Sequence, residues 1–218
     1  MIGTISEQHV RIPAGSVTLE GDLILPQATG AAVIFAHGSG SSRLSPRNRY
    51  VASVVQNAGI GTLLFDLLTR EEDTVYQNRF NIELLTDRLK AATLWLRDLP
   101  EATDLRFGYF GASTGTASAL RAAADLGTII NAVVSRGGRP DLAEQALERV
   151  ASPVLLIVGG HDHLVIELNQ RAYSRINAEK RLEIVPGATH LFEEPGALEE
   201  AARLATAWFA RHLLPPTR

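Results

Sequence analysis

A chain of 218 residues, 45% hydrophobic and 21% charged, holds enough apolar material for one core of ordinary size, which excludes a disordered chain. A formal net charge of -3 gives no basic footprint for nucleic acid, and no apolar run approaches the roughly 20 residues of a membrane helix. The lack of cysteine removes disulfides, thiolate metal ligands and a cysteine nucleophile. The first nine residues lack the basic-then-apolar pattern of a signal peptide, so the cytoplasm is the default expectation.

Residues 9–12 read as a short strand and Pro13-Ala14-Gly15-Ser16 as a hairpin turn. A second strand follows, in which Val17, Leu19, Gly21, Leu23 and Leu25 alternate with Thr18, Glu20, Asp22 and Ile24. The pair is expected at the antiparallel edge of a larger sheet. Ala31–Ala36 is a continuous apolar run, as in a strand covered on both faces, and it ends in the polar loop His37-Gly38-Ser39-Gly40-Ser41-Ser42-Arg43. Ser45-Pro46 predicts a helix with proline at its first position, running to about Ala58. A buried strand over 62–65 comes next, then a charged connection over 66–77 containing Arg70, Glu71, Glu72 and Asp73. Leu85, Leu89, Ala92 and Leu96 recur at helical spacing within 81–99.

Residues 105–110 form an apolar and aromatic strand, and the Ala-rich stretch from Thr116 reads as a helix. Between them, Gly111-Ala112-Ser113-Thr114-Gly115 fits G-x-S-x-G, a sharp strand-to-helix turn that exposes a serine hydroxyl. Side chains two residues before and after the serine would collide, which favours glycine there. The following helix directs its N-terminal amides and positive dipole end at the turn, which suits a developing oxyanion. A strand over 132–135 ends in Arg136-Gly137-Gly138-Arg139-Pro140-Asp141, with a short helix to about Leu147. A strand over 153–158 ends in Gly159-Gly160-His161-Asp162-His163, and a helix covers 164–176. A strand over 181–185 ends in Pro186-Gly187-Ala188-Thr189-His190. The last helix starts at Pro195, with Ala201, Leu204, Ala205, Trp208 and His212 on one face.

Strands alternating with helices imply right-handed crossovers, a mainly parallel sheet with helices on both faces, and one domain over 1–218. Ligand sites in such sheets lie at the carboxyl ends of the strands. His37-Gly38-Ser39, Ser113, Arg136, Asp162 and His190 all fall there. A serine hydroxyl is a poor nucleophile near neutral pH and needs a base, and the base needs a carboxylate to hold its tautomer. Ser113 follows the fifth strand, Asp162 the seventh and His190 the eighth.

In that order and placement the chain resembles the α/β-hydrolase fold family over about residues 9–213. Gly159-Gly160-His161-Asp162-His163-Leu164-Val165 resembles the family's G-x-x-D-x-x-V, and Gly187-Ala188-Thr189-His190 its G-x-x-H. The resemblance implies an eight-stranded sheet, Ser113 as nucleophile, Asp162 as acid and His190 as base. It also implies an oxyanion hole from the amides of Thr114 and Ser39, with Gly40 the close competitor and a candidate substrate contact. Only 137–152 separate the sixth and seventh strands, which leaves no room for a cap domain. This compactness is similar to the small dienelactone-hydrolase-like group, from whose classical members the chain departs in carrying serine, not cysteine, as nucleophile. Asp66-Leu67-Leu68-Thr69 and Ser135-Arg136-Gly137-Gly138-Arg139-Pro140 resemble a subgroup sometimes fused to phosphoribosyltransferase domains.

Other roles stand beside these. Asp162 fits an N-cap of the helix after it. His190 fits an exposed loop histidine, Asp141 is a rival acid, and His161 and His163 flank the proposed one. His37 suits a loop buttress better than proton transfer. Arg136 suits a grip on a substrate carboxylate or phosphate as well as it suits a solvated arginine, whereas Arg139 suits an ion pair with Asp141 or Glu144. The expectation is a serine hydrolase of a small-molecule ester, thioester or lactone, with acyl transfer or a non-catalytic binding module as alternatives. It needs no metal or organic cofactor and engages neither nucleic acid nor membrane. A monomer and a homodimer are both compatible with the pattern.

Overall fold

The computed structural model describes residues 7–215. Its eight strands are β1 (Glu7–Ala14), β2 (Val17–Ile24), β3 (Ala31–Ala36), β4 (Gly61–Phe65), β5 (Arg106–Ala112), β6 (Ile130–Arg136), β7 (Val154–Gly159) and β8 (Lys180–Val185). They form one sheet in the order β1-β2-β4-β3-β5-β6-β7-β8. The β1–β2 hairpin is antiparallel and joins β4 antiparallel, while every pairing from β4 through β3 to β8 is parallel. Strands β3, β4 and β7 are buried at every position, because helices cover both faces and leave no solvent side for a polar alternation.

The helices are α1 (Pro46–Asn57), α2 (Arg70–Asp73), α3 (Ile82–Arg97), α4 (Gly115–Leu126), α5 (His163–Arg175) and α6 (Ala197–Leu213). Ile34, Tyr109, Val133 and Leu156 point from the sheet into one core with Leu85 and Leu89 of α3, Leu120 of α4 and Ala172 of α5. Their strand neighbours Phe35, Phe110, Val134 and Ile157 face the opposite core, with Val51 and Val55 of α1 and Ala201, Ala205 and Phe209 of α6. Among the described residues no helix is long and apolar enough to cross a membrane.

Four local expectations are corrected. Pro13 and Ala14 belong to β1, which pairs to the end of the hairpin, so the turn is Gly15-Ser16 alone. The connection after β4, expected only as a charged stretch, holds α2, closed by a capping box between Thr69 and Glu72, and a 3-10 turn, Tyr76–Phe80. Pro140–Arg149 is a succession of 3-10 turns kinked at Glu144, whose φ of 51° no continuous helix accommodates. The last helix begins at Ala197 rather than Pro195, because Gly196 takes a left-handed conformation at its N-cap.

Candidate active site

The turn between β5 and α4 holds Ser113 at a φ of 51°, a region costly for a residue with a side chain. Three contacts fix it there. The Ser113 amide donates to the Arg136 carbonyl at 3.3 Å, and its own carbonyl accepts from the amides of Thr116 at 3.1 Å and Arg139 at 3.0 Å. The glycines have their reasons in the same turn. A Cβ on Gly111 would sit 2.6 Å from Thr116 Cα, and one on Gly115 would strike the carbonyl oxygens of Ala36 and His37. Gly38 faces Ser113 so closely that a Cβ there would lie 3.1 Å from the serine Cβ.

Asp162 stands at the N-cap position of α5, yet its side chain makes no capping bond. His190 Nδ1 donates to Asp162 Oδ2 at 2.6 Å instead, which leaves Nε2 as the nitrogen able to take a proton. Asp162 is mostly buried, and His190 is 40% exposed. Asp141 is excluded as the orienting acid, since both of its oxygens hold Arg139, at 2.9 and 2.8 Å. His161 and His163 are exposed and take no part in the pair. The turn after β6 lies under both sides of the site: Arg139 bonds Ser113, and a Cβ on Gly137 would be 3.6 Å from His190 Cε1.

The loop after β3 is braced from beneath. Buried His37 donates from Nδ1 to the Gly38 carbonyl and accepts at Nε2 from the Leu67 amide, both at 3.0 Å. Burial depresses its pKa, outweighing the pull of the Gly38 carbonyl and the Asp66 and Asp73 carboxylates, so the ring is neutral. The Asp66 carboxylate accepts from the Arg43 amide at 2.7 Å and from its guanidinium at 2.5 Å. Ser39, the expected oxyanion donor, gives its amide to Thr114 Oγ1 at 2.8 Å. That N–H is therefore engaged in this structure and serves an oxyanion only by leaving Thr114 Oγ1.

The sequence profile described as the dienelactone hydrolase family matches residues 28–213. The chain belongs to the dienelactone hydrolase family. A crystal structure of a dienelactone hydrolase from Anabaena variabilis is 53% identical, covers 96% of this chain and 99% of its own, and superposes with a TM-score of 0.93. The dienelactone hydrolase-like promiscuous phosphotriesterase P91, from metagenomic libraries, shares the fold at 17% identity, with a TM-score of 0.78 over 97% of this chain and 100% of its own. Proteins named only provisionally as phosphoribosyl transferases, from two strains of Mycobacterium tuberculosis, are 55% identical over 97% of this chain. The chain spans about half of their length, 48%. Family and fold together support a hydrolase-type enzyme.

In this dienelactone hydrolase family member Arg136 is not at an open mouth. Its side chain is buried on the α1 side of the sheet, 7% exposed, with its guanidinium carbon 5.8 Å from the Phe192 ring centre. Arg139 is paired with Asp141, and Gly40 sits at a φ of 67° beside Arg79. From sequence Arg79 has no role, and Asp66 is marked only as part of the resembling segment Asp66-Leu67-Leu68-Thr69. Asp73 holds Arg79 through Nε and Nη2 at 2.9 Å each, which leaves Nη1 directed toward Gly40. The position of Asp66 at a strand's carboxyl end was the available signal for it; Arg79 carried none. A cavity of about 890 Å³ lies on the far side of His37, between the β1–β2 hairpin and α2. Ser113 does not line it, so it neighbours the site and is not the site.

Proposed function

We propose that the protein is a serine hydrolase of a small-molecule carboxylic ester, thioester or lactone. The 2.6 Å bond from His190 to Asp162, at the same sheet edge as a serine held in a strained turn, carries the reading. Ser113 Oγ attacks the carbonyl carbon and passes its proton to His190 Nε2. The oxyanion takes hydrogen bonds from the amide of Thr114 and from that of Ser39, which exchanges Thr114 Oγ1 for the oxyanion. Collapse expels the leaving oxygen or sulfur, which receives the proton from His190 and leaves an acyl ester on Ser113. Water then adds to that ester with His190 as base, and the acid departs as Ser113 recovers its proton. No hydrogen bond joins Ser113 to His190 among the described residues, and such contacts tighten when substrate is bound. The steps call for no metal or organic cofactor, and they fit a cytoplasmic enzyme. An alcohol or amine in place of water would make the same groups an acyltransferase.

A fluorophosphonate probe followed by mass spectrometry tests the reading. The expected adduct is on Ser113, absent in Ser113→Ala and much weaker in His190→Ala. A folded wild-type protein that forms no adduct on Ser113 would overturn the hydrolase in favour of a binding module.

A further inference from the structure

Arg136 is the only Lys, Arg, Asp or Glu side chain buried among the described residues. It has no carboxylate partner among them. Its Nε and Nη1 have no hydrogen-bond partner there, and Nη2 makes one long bond, 3.5 Å, to Oδ1 of buried Asn48. Folded proteins do not leave a buried cation uncompensated without reason, because its lost hydration is costly even after relaxation.

The face of the Phe192 ring relieves the charge in part, but the nearby charge and helix end add positive potential. Asn48 lies in the first turn of α1, a 12-residue helix with no acidic residue in that turn. The positive end of the helix dipole therefore lies beside the guanidinium. Arg47, the preceding residue, opposes the Arg136 charge. Burial first, and Arg47 second, bring the Arg136 pKa down to about 10. Phe192, which stacks near the guanidinium, sits at a φ of 56°, so the segment after His190 is held in a strained form over this point. Arg47 and Glu193 form an ion pair of 3.2 Å at the outer side of the same junction, with side chains 35% and 64% exposed.

We propose that Arg136, Asn48 and the first turn of α1 form a binding site for a small oxyanion, a carboxylate or a phosphate. The anion takes the free guanidinium edge and the Asn48 amide, and it draws Arg47 away from Glu193 as the exposed pair opens. The site adjoins the candidate active site through the backbone, since the Arg136 carbonyl accepts the Ser113 amide. The anion is either the acid group of the substrate itself, which rests on the hydrolase reading, or a separate ion, which does not.

Thermal unfolding in phosphate-free, low-salt buffer tests the site without using Ser113. Inorganic phosphate or acetate is expected to raise the wild-type Tm by about 3–5 °C at ten times its dissociation constant, with chloride at equal ionic strength ineffective. Asn48→Asp places a carboxylate beside Arg136, so it is expected to raise the Tm in the absence of anion and abolish the response. Arg136→Met is also expected to abolish it, and Asn48→Asp decides the matter if that variant does not fold. No anion-specific shift in the wild type, or a shift that survives in Asn48→Asp, would overturn the proposal. The source follows from hydrolysis of a carboxylated ester against a neutral one of equal size. If the anion belongs to the substrate, the preference for the acidic ester falls about tenfold in Asn48→Asp. If the thermal response disappears while that preference is unchanged, the site holds a separate anion. A protein that shows the thermal response but leaves Ser113 unlabelled loses only the hydrolase reading.

Discussion

At the scale of single residues, Thr114 has a second task beyond offering its amide. Its hydroxyl accepts the Ser39 amide at 2.8 Å and so holds the other proposed oxyanion donor in place until substrate takes it over. Thr114→Val removes the acceptor without changing the shape of the side chain much. Loss of that bond is expected to cost about 1 kcal/mol of stability and to lower kcat about tenfold, with Thr114→Ser retaining both. Steady-state kinetics on the three forms checks this, and a kcat unchanged in Thr114→Val would show that the bond is incidental. Asp162 illustrates the same scale. From sequence it serves equally well as a helix cap or as the partner of a base; only the direction of its carboxylate, toward His190 and away from the α5 amides, separates the two.

At the scale of elements, the β5–α4 turn depends on what it lacks. A Cβ on Gly111 would meet the backbone of Thr116, which cannot move aside as a flexible side-chain tip would. Gly111→Ala is expected to destabilise the protein by about 3 kcal/mol, read from urea unfolding, because overpacking must be relieved by shifting the helix start. The turn was legible because a strand, two glycines and a helix meet within a few residues. The 66–77 connection was misjudged for the opposite reason. Its charged residues have no apolar period, and α2 is stabilised by the Thr69–Glu72 capping box and by Arg88, sixteen positions away, which grips Glu72 at 2.5 Å. The capping pattern was there to be read; the arginine was not.

At the scale of the whole molecule, stability should respond to acid through His37. This ring joins the β3 loop to the chain after β4 only while it is neutral, because protonated Nε2 would face the Leu67 amide donor to donor. With its folded pKa below the usual value of about 6.5, the unfolded chain binds the proton first. The stabilisation is complete above about pH 6.5 and is lost as pH falls toward the depressed folded value. Exposed His9 has the opposite sign, since Asp22 and Glu20 raise its pKa and its contribution fades as pH rises. Urea midpoints at pH 7 and pH 5 are expected to differ more in the wild type than in His37→Gln. Equal differences would show that this histidine does not set the acid response.

Alternation of buried strands with helices, and the order of Ser113, Asp162 and His190 after the fifth, seventh and eighth strands, made the parallel sheet and the edge where these three residues lie readable from the sequence. Those features are local or nearly so: apolar runs, turn glycines and caps state their physics within a dozen residues. The hand that Arg136 extends to Asn48, the grip of Asp66 on the Arg43 loop and the bond from Ser39 to Thr114 join residues 23 to 88 positions apart. Their partners are set by which strand lies beside which and how far each side chain reaches, so only the folded sheet could decide them.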